Sequence, residues 1–178
     1  MKNNKGFSLV ELIIVVAIMA IMGGFIFMSF GLLTGQDARK CANNLSTVLD
    51  KEKNYALAKS AEADCYVEIS LTSDGYFAEY YVPKKAVGTD VVSIGKEEIG
   101  KASVMISCYY DDGSGTPSLK GTLSGGTLKI VYNRVSGAIK EINLNGTTDI
   151  NMIRIDKGRT YEINIFTATG KHTLERKN

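Results

Sequence analysis

Residues 5–33 read KGFSLVELIIVVAIMAIMGGFIFMSFGLL, and this stretch decides how the rest of the chain is interpreted. No Asp, Glu, Lys or Arg occurs from Leu12 to Gln36, and Leu12–Leu33 is apolar apart from glycines and Ser29. As a helix, the 22 residues from Leu12 to Leu33 would extend about 33 Å at roughly 1.5 Å per residue, enough to cross a ~30 Å hydrocarbon core. The stretch therefore predicts a transmembrane helix.

Three kinds of apolar segment compete for this stretch. A cleaved secretory signal peptide has a shorter apolar run followed by a small-residue cleavage site, and no such site follows Leu33. An uncleaved signal anchor explains the length, and Lys2 and Lys5 would stay on the cytoplasmic side. It does not explain Glu11, because an unpaired carboxylate costs about 2.5–3.5 kcal/mol at mid-membrane. Glu11 should therefore have a partner.

The third kind is indicated by the residues around Glu11. Lys5-Gly6-Phe7-Ser8-Leu9-Val10-Glu11-Leu12, followed by the apolar run, resembles the amino-terminal signature of type IV prepilins and type II secretion pseudopilins. The resemblance implies that residues 1–6 are a leader peptide and that a membrane prepilin peptidase cuts between Gly6 and Phe7. It also implies that Phe7 is then N-methylated and that Glu11 is the acidic residue used in assembly.

The chemistry of the new terminus gives Glu11 a reason to be there. Cleavage would create an α-amino group at Phe7 within or beside the bilayer, where an isolated cation is expensive. The Glu11 carboxylate of a neighbouring subunit can neutralise it when two helices pack with an axial offset. Apolar helices slide easily, so one buried charge pair would fix their stagger. The plainer alternative is a Glu11 that extends to the membrane surface and has no role in assembly.

The helical pattern continues beyond the apolar run. One face of the continuation is apolar and the opposite face is polar, as in an amphipathic helix. The apolar positions are Ala38, Cys41, Ala42, Leu45, Val48, Leu49, Tyr55 and Ala56. We expect one helix from about Ser8 to about Glu62, with residues 7–36 as the membrane and assembly half and residues 37–63 as an amphipathic half. Gly31 and Gly35 form a GxxxG spacing that can be either a helix-dimer contact or chance.

From residue 64 to residue 178 the pattern alternates, and turn residues separate short strands. Ser73-Asp74-Gly75, Asp156-Lys157-Gly158 and Ala168-Thr169-Gly170 are typical of hairpin turns. Residues 111–126 are rich in glycine and are predicted to be the loosest region. The strands are predicted at Cys65–Leu71, Tyr76–Val82, Val91–Ile94, Ser103–Tyr110, Thr127–Tyr132, Ile139–Leu144, Met152–Ile155, Tyr161–Phe166 and Lys171–Leu174. The predicted fold class is α+β, a long N-terminal helix packed on an antiparallel sheet domain.

A second resemblance comes from the order of motifs in this region. Residues 130–132, Ser136–Ile139, Arg159–Phe166 and Gly170-Lys171 look similar to the domain of H-type minor pseudopilins. That resemblance implies two β-sheets against the long helix. A major pilin or pseudopilin remains the alternative.

Composition argues against an enzyme. The chain has one histidine, His172, three cysteines and no zinc-type spacing, so no metal or cofactor site is predicted. His172 is expected to be a surface residue, and the acidic loop Asp111–Gly115 an ordinary turn more readily than a calcium site. Removing Lys2 and Lys5 with the leader lowers the formal charge from +2 to zero. No long-range electrostatic steering of partners is then expected.

Two further features leave alternatives open. Cys65 and Cys108 lie in predicted strands outside the membrane, where a disulfide can persist, although a Cys41–Cys65 bridge or buried thiols are also consistent with the sequence. Residues 154–178 contain six Lys or Arg and three Asp or Glu. The candidates there for contact with DNA are Arg154, Lys157, Arg159 and Lys171. The alternative is a solvated strand edge that discourages aggregation.

Together these observations predict a structural subunit, a single-pass membrane protein whose C-terminal domain lies outside the cytoplasm. After processing it would assemble into a type IV pilus or a type II secretion or competence pseudopilus. Its expected partners are a prepilin peptidase, other pilin or pseudopilin subunits and membrane lipid. The alternatives are a signal-anchored extracellular binding domain and a minor pilin of an uptake machine that binds nucleic acid.

Overall fold

The computed structural model describes residues 9–58, 64–84 and 90–177, and the side chains of residues 25–34 lie outside this description. The first element is a single α-helix, α1, from Leu9 to Ala58. Its 50 residues extend about 75 Å at roughly 1.5 Å per residue. The predicted continuity across Leu33 is therefore confirmed, and the predicted ends at Ser8 and Glu62 lie outside the described residues.

Ten strands follow α1 in the described part of the chain and form two five-stranded antiparallel sheets. They are β1 (Cys65–Leu71), β2 (Tyr76–Pro83), β3 (Val91–Gly100), β4 (Met105–Tyr110), β5 (Ser118–Thr122), β6 (Thr127–Tyr132), β7 (Ile139–Leu144), β8 (Met152–Asp156), β9 (Thr160–Phe166) and β10 (Lys171–Lys177). The first sheet has the order β3-β2-β1-β6-β7, and the second has β10-β9-β8-β4-β5. The α+β class is confirmed, and there are two sheets where the sequence patterns alone indicated one.

The predicted strands agree best where one face is buried. In β1, residues alternate between buried and partly buried, and the structure gives this strand the predicted bounds. β5 was not predicted, because it lies in the glycine-rich region and is a short edge strand whose residues are at most partly buried. β3 runs six residues beyond the predicted end at Ile94 because its side chains are mostly exposed and show no alternation there.

The three predicted turns connect β1 to β2, β8 to β9 and β9 to β10. Gly75, Gly158 and Gly170 each have a positive φ. At Gly170 a Cβ atom would lie 1.9 Å from the carbonyl oxygen of Gly137, so this turn also needs glycine for space.

The core lies between one face of α1 and both sheets. The apolar positions predicted for that face are buried, with the exception of Tyr55, which is 37% exposed. The Tyr55 ring instead packs edge-on against Tyr80 of β2, at 5.7 Å between ring centroids. The second half of the helix therefore packs against both sheets. This packing fixes the direction in which the first half of the helix leaves the domain.

The proposed disulfide is not formed. Cys65 lies on β1 of the first sheet and Cys108 on β4 of the second, and both side chains are buried thiols. Cys41 is a third buried thiol, on α1. Burial raises the pKa of the Cys41 and Cys108 thiols to about 12. The cysteines act here as small apolar core residues.

Candidate assembly helix and its anchoring contacts

The first part of α1 has an exposed apolar surface. From Leu9 to Met22 its large side chains are between 44% and 75% exposed. An apolar surface of this size requires a partner or a lipid environment. Among the residues that the structure describes, no helix meets the length and apolarity needed to cross a membrane.

Glu11 lies in the first described turn of α1, on this exposed surface. Between Gly6 and Gln36 it is the only Asp, Glu, Lys or Arg in the sequence. Gly6 and Phe7, the predicted processing residues, lie outside the described residues. The pairing of Glu11 with the amino group of a neighbouring Phe7 therefore stays a prediction.

Where α1 reaches the domain, Asp37 fixes it to the second sheet and to the end of β3. Lys157, in the turn between β8 and β9, donates to Asp37 at 2.6 Å and to Ser103 at 2.6 Å. Lys101, just after β3, lies 3.0 Å from the other Asp37 carboxylate oxygen. The hydrogen bonds from Lys157 and Lys101 lower the pKa of Asp37. The carboxylate thus joins three segments at the base of the domain.

Gly35 stands immediately before this contact and is buried. The aliphatic part of Arg159 packs directly on it, and a Cβ atom at Gly35 would lie 2.6 Å from Cδ and 2.8 Å from Cγ of Arg159. This contact within the chain accounts for a glycine at position 35. The sequence alone offered a helix-dimer contact or chance for Gly31 and Gly35, and the structure adds for Gly35 a third explanation, packing within the chain.

Further along α1, Lys51 and Glu52 face the first sheet. Lys51 donates to Glu97 of β3 at 2.6 Å, and Tyr80 of β2 donates to the other oxygen of the same carboxylate. Glu52 is fully buried, and neither of its oxygens has a hydrogen-bond partner within the described chain. The hydroxyl of Tyr132 on β6 is buried without a partner as well. Burial raises the pKa of Glu52 to about 8.

Sequence reasoning missed Glu52, although a signal was present. Glu52 is three residues after Leu49 and four before Ala56, so it occupies a position in the apolar stripe of α1. A carboxyl group at such a position is either buried in the core or exposed at the edge of the apolar stripe. The sequence pattern alone does not distinguish these two cases.

The prediction for His172 is wrong. Its side chain, on β10, is only 7% exposed. His172 Nε2 and Ser46 Oγ of α1 share a hydrogen bond of 2.8 Å, and His172 Nδ1 lies 4.0 Å from Asp50. Burial lowers the pKa of His172. The single histidine therefore joins the last strand to the helix, with the Ser46 hydroxyl on one ring nitrogen and the exposed Asp50 carboxylate facing the other.

The four candidate DNA contacts are not brought together. Lys157 and Arg159 lie at one end of β9, while Lys171 pairs with Phe166 at the other end. The two ends are about 20 Å apart at roughly 3.3 Å per residue. Arg154 donates to Glu162 from Nε at 2.9 Å and from a terminal nitrogen at 2.6 Å, and Lys157 is held by Asp37. Two of the four cations are thus already paired within the domain.

The acidic loop is closed by its own backbone. Asp111 accepts a hydrogen bond from the amide of Gly113 at 2.8 Å, and Asp112 accepts one from Ser114 at 2.9 Å. Asn151 also bonds the backbone of Asp111 in both directions, at 2.7 Å each. In the described part of the chain, no group of three or more His, Cys, Asp or Glu side chains is arranged to hold a metal ion.

Comparison with known proteins adds one match. A family model described as the prokaryotic N-terminal methylation motif matches residues 1–27. Neither the curated proteins nor the solved structures gave a match to this chain. The match covers the predicted leader, the predicted cleavage position, Glu11 and the exposed first part of α1, and it confirms the resemblance carried by residues 5–12. At its amino terminus, therefore, the chain carries the methylation motif that is the hallmark of type IV prepilin and pseudopilin family proteins.

Proposed function

We propose that this chain is a structural subunit of a type IV pilus or of a related pseudopilus. It is made as a single-pass membrane protein, cut between Gly6 and Phe7 by a prepilin peptidase, and assembled through α1. The observation that carries the proposal is the exposed apolar helix with Glu11 in its first described turn, directly within the methylation motif.

The exposed surface of α1 supports assembly over simple anchoring. A helix that is apolar all round is stable either in lipid or among sister helices, and assembly exchanges the first environment for the second. Glu11 and the new amino group of Phe7 lie at different heights along the axis of the same helix. A contact between them is therefore head-to-tail, and it repeats along a helical filament rather than closing into a ring.

The way the domain holds α1 supports a structural role as well. Asp37, Ser46 and Lys51 contact the sheet domain at three levels along the helix. These contacts hold the helix in one orientation, so that each subunit presents its sheets at a fixed angle to the filament axis. Asp37 and Ser46 tie α1 to the second sheet through Lys157 and His172, and we infer that the domain is structural and not an enzyme.

Intact-mass spectrometry of the full chain, expressed with and without a prepilin peptidase, tests the proposal. The expected mass change is the loss of residues 1–6 and the gain of one methyl group. A Gly6→Val variant is the matched control and should keep the full mass, because it removes the glycine after which the motif places the cut. An unprocessed wild-type chain beside an active peptidase would favour the signal-anchored binding domain instead.

A further inference from the structure

A polar groove lies at the base of the domain, where α1 leaves the apolar run. Its volume is about 410 Å³, and its polar lining includes Gln36, Arg39, Lys40, Asn43 and Arg159. Arg39 and Lys40 are exposed on α1, and Arg159 comes from the turn before β9. The packing of the Arg159 stem on Gly35 holds its guanidinium beside the helix.

The groove carries unpaired positive charge. Within the described residues, none of Arg39, Lys40 and Arg159 forms an ion pair. The nearest acid on the helix, Asp37, is already held by Lys157 and Lys101. Glu98 lies in an adjoining groove that Lys40 also lines, and the region remains net positive when Glu98 is included. Guanidinium and ammonium groups are donors without acceptors, and together with side-chain amides they suit a phosphate.

The position of the groove along α1 indicates where that phosphate would come from, and this step rests on the proposed membrane insertion. Arg39 and Lys40 follow Leu33 by six and seven residues, which is about 9–10 Å at roughly 1.5 Å per residue. The headgroup layer on each side of a bilayer is roughly 5–8 Å thick. Helical side chains lean toward the N-terminus, and long basic side chains extend toward the headgroups. The three cations are therefore at the level of the lipid phosphates.

We propose that Arg39, Lys40 and Arg159 bind the phosphate of an anionic phospholipid headgroup in the outer face of the membrane. The bound lipid holds the unassembled subunit at a fixed depth and tilt, with its domain seated on the bilayer surface. Lipid and subunit separate when the subunit is drawn into the filament.

The test uses the full processed chain in vesicles of neutral phosphatidylcholine that contain a small fraction of spin-labelled phosphatidylglycerol or spin-labelled phosphatidylcholine. The fraction of motionally restricted label reports contact with the protein. The wild-type chain should select phosphatidylglycerol. The variant R39Q/K40Q/R159Q should lose this selectivity, by about fivefold for each cation removed. A control with three cations removed elsewhere, K96Q/K120Q/K171Q, should keep it.

Other outcomes overturn the assignment. Equal selectivity in the wild type and the triple variant would exclude these residues as the lipid site. Binding of inorganic phosphate in pure phosphatidylcholine vesicles, with the same dependence on the three cations, would identify a phosphate site instead. Unchanged lipid selectivity together with loss of the triple variant from filaments would assign the cations to a neighbouring subunit.

Two further measurements keep the result interpretable. Circular dichroism checks the fold of the triple variant, and R39Q/K40Q, which changes only exposed helix positions, replaces it if that variant does not fold. Cleavage by the peptidase and resistance to carbonate extraction are measured on the same samples. A chain that is neither cut nor inserted would contradict the proposed function, whereas a chain that is cut and inserted but does not prefer anionic lipid would contradict only the headgroup site.

Discussion

The least expected residue is Glu52, whose carboxyl is fully buried among Tyr80, Tyr132 and apolar side chains. Its pKa is raised from an ordinary value of 4.5 to about 8, so the folded protein keeps a proton that the unfolded chain has released at neutral pH. Between these two pH values folding takes up a proton. This group's contribution to stability is therefore present below pH 4.5 and is lost as the pH rises toward 8.

We expect Glu52→Gln to remove this pH dependence. The wild type should lose up to about 1.4 kcal/mol of unfolding free energy per pH unit across this window relative to the variant. Urea unfolding of the chain in neutral detergent, at several pH values from 4 to 9, measures the difference. His172 has a lowered pKa, so below pH 6.5 it makes the unfolding free energy rise with pH, opposite to the effect of Glu52. This contribution is the same in both proteins and cancels when they are compared.

Glu98→Gln is the matched control, since Glu98 is exposed on β3. That variant should follow the wild type at every pH. A Glu52→Gln variant with the wild-type slope would show that Glu52 is ionised in the folded protein.

Glu11 is the second residue whose replacement has a specific expected result. Glu11→Gln should leave cleavage and methylation intact and reduce incorporation into filaments by a hundredfold or more. The reason is that leaving one member of a buried ion pair without its partner costs about 3–5 kcal/mol. Quantitative immunoblotting of sheared filaments against the membrane fraction measures the ratio, with Ser29→Ala as a polar-to-apolar control in the same helix. Normal assembly of Glu11→Gln would exclude the pairing role.

At the scale of elements, α1 and the turn before β9 are coupled through Gly35 and Arg159. Replacing a helix glycine by alanine stabilises a helix by about 0.5–1 kcal/mol, but here the new methyl group would displace Arg159. Gly35→Ala should therefore stabilise the chain in an Arg159→Ala background and stabilise it less, or destabilise it, in the wild type. A double-mutant cycle from urea unfolding measures this coupling. Additive effects would show that the two residues do not touch.

Strands could be predicted from the sequence where the core buries part of the strand, because apolar residues then recur in a regular pattern. β1, β6 and β7 have the predicted bounds because each places several apolar residues in the core, at alternate positions in β1. β5 and the second half of β3 lie at sheet edges and have few buried residues. Their apolar and polar residues therefore do not alternate, and the sequence does not mark them as strands. The division into two sheets depends on long-range pairing between β1 and β6 and between β4 and β8, which local patterns do not specify.

The candidate site was predictable in part for a similar reason. Gly6, Phe7 and Glu11 lie within six consecutive residues of the methylation motif, so they can be read directly from the sequence. The contacts of Asp37 with Lys157 and of Ser46 with His172 join residues more than a hundred positions apart. Such contacts follow only from the packing of α1 between the sheets, and His172 was misjudged because its strand pattern shows little burial.

At the scale of the whole molecule, the three thiols report on the integrity of the domain. Cys41, Cys65 and Cys108 are each 0% exposed and lie on α1, the first sheet and the second sheet. A thiol reagent such as Ellman's reagent should therefore react slowly with the native chain, and three thiols should become reactive together in denaturant. Recovery of a single reactive thiol after unfolding without reductant would show that two of them are joined, contrary to the structure.

The unbroken course of α1 has a mechanical consequence. In the proposed filament, tension would pull each subunit along its helix axis, and the force would pass from the apolar half into the domain at Asp37, Ser46 and Lys51. These attachments are spaced along the helix, parallel to the direction of pull. The load is therefore shared among them, and they are sheared together instead of breaking one after another. A joint that is sheared in this way yields only when all its attachments fail at once, and the domain therefore resists extraction of its helix far better than the energy of any one contact suggests.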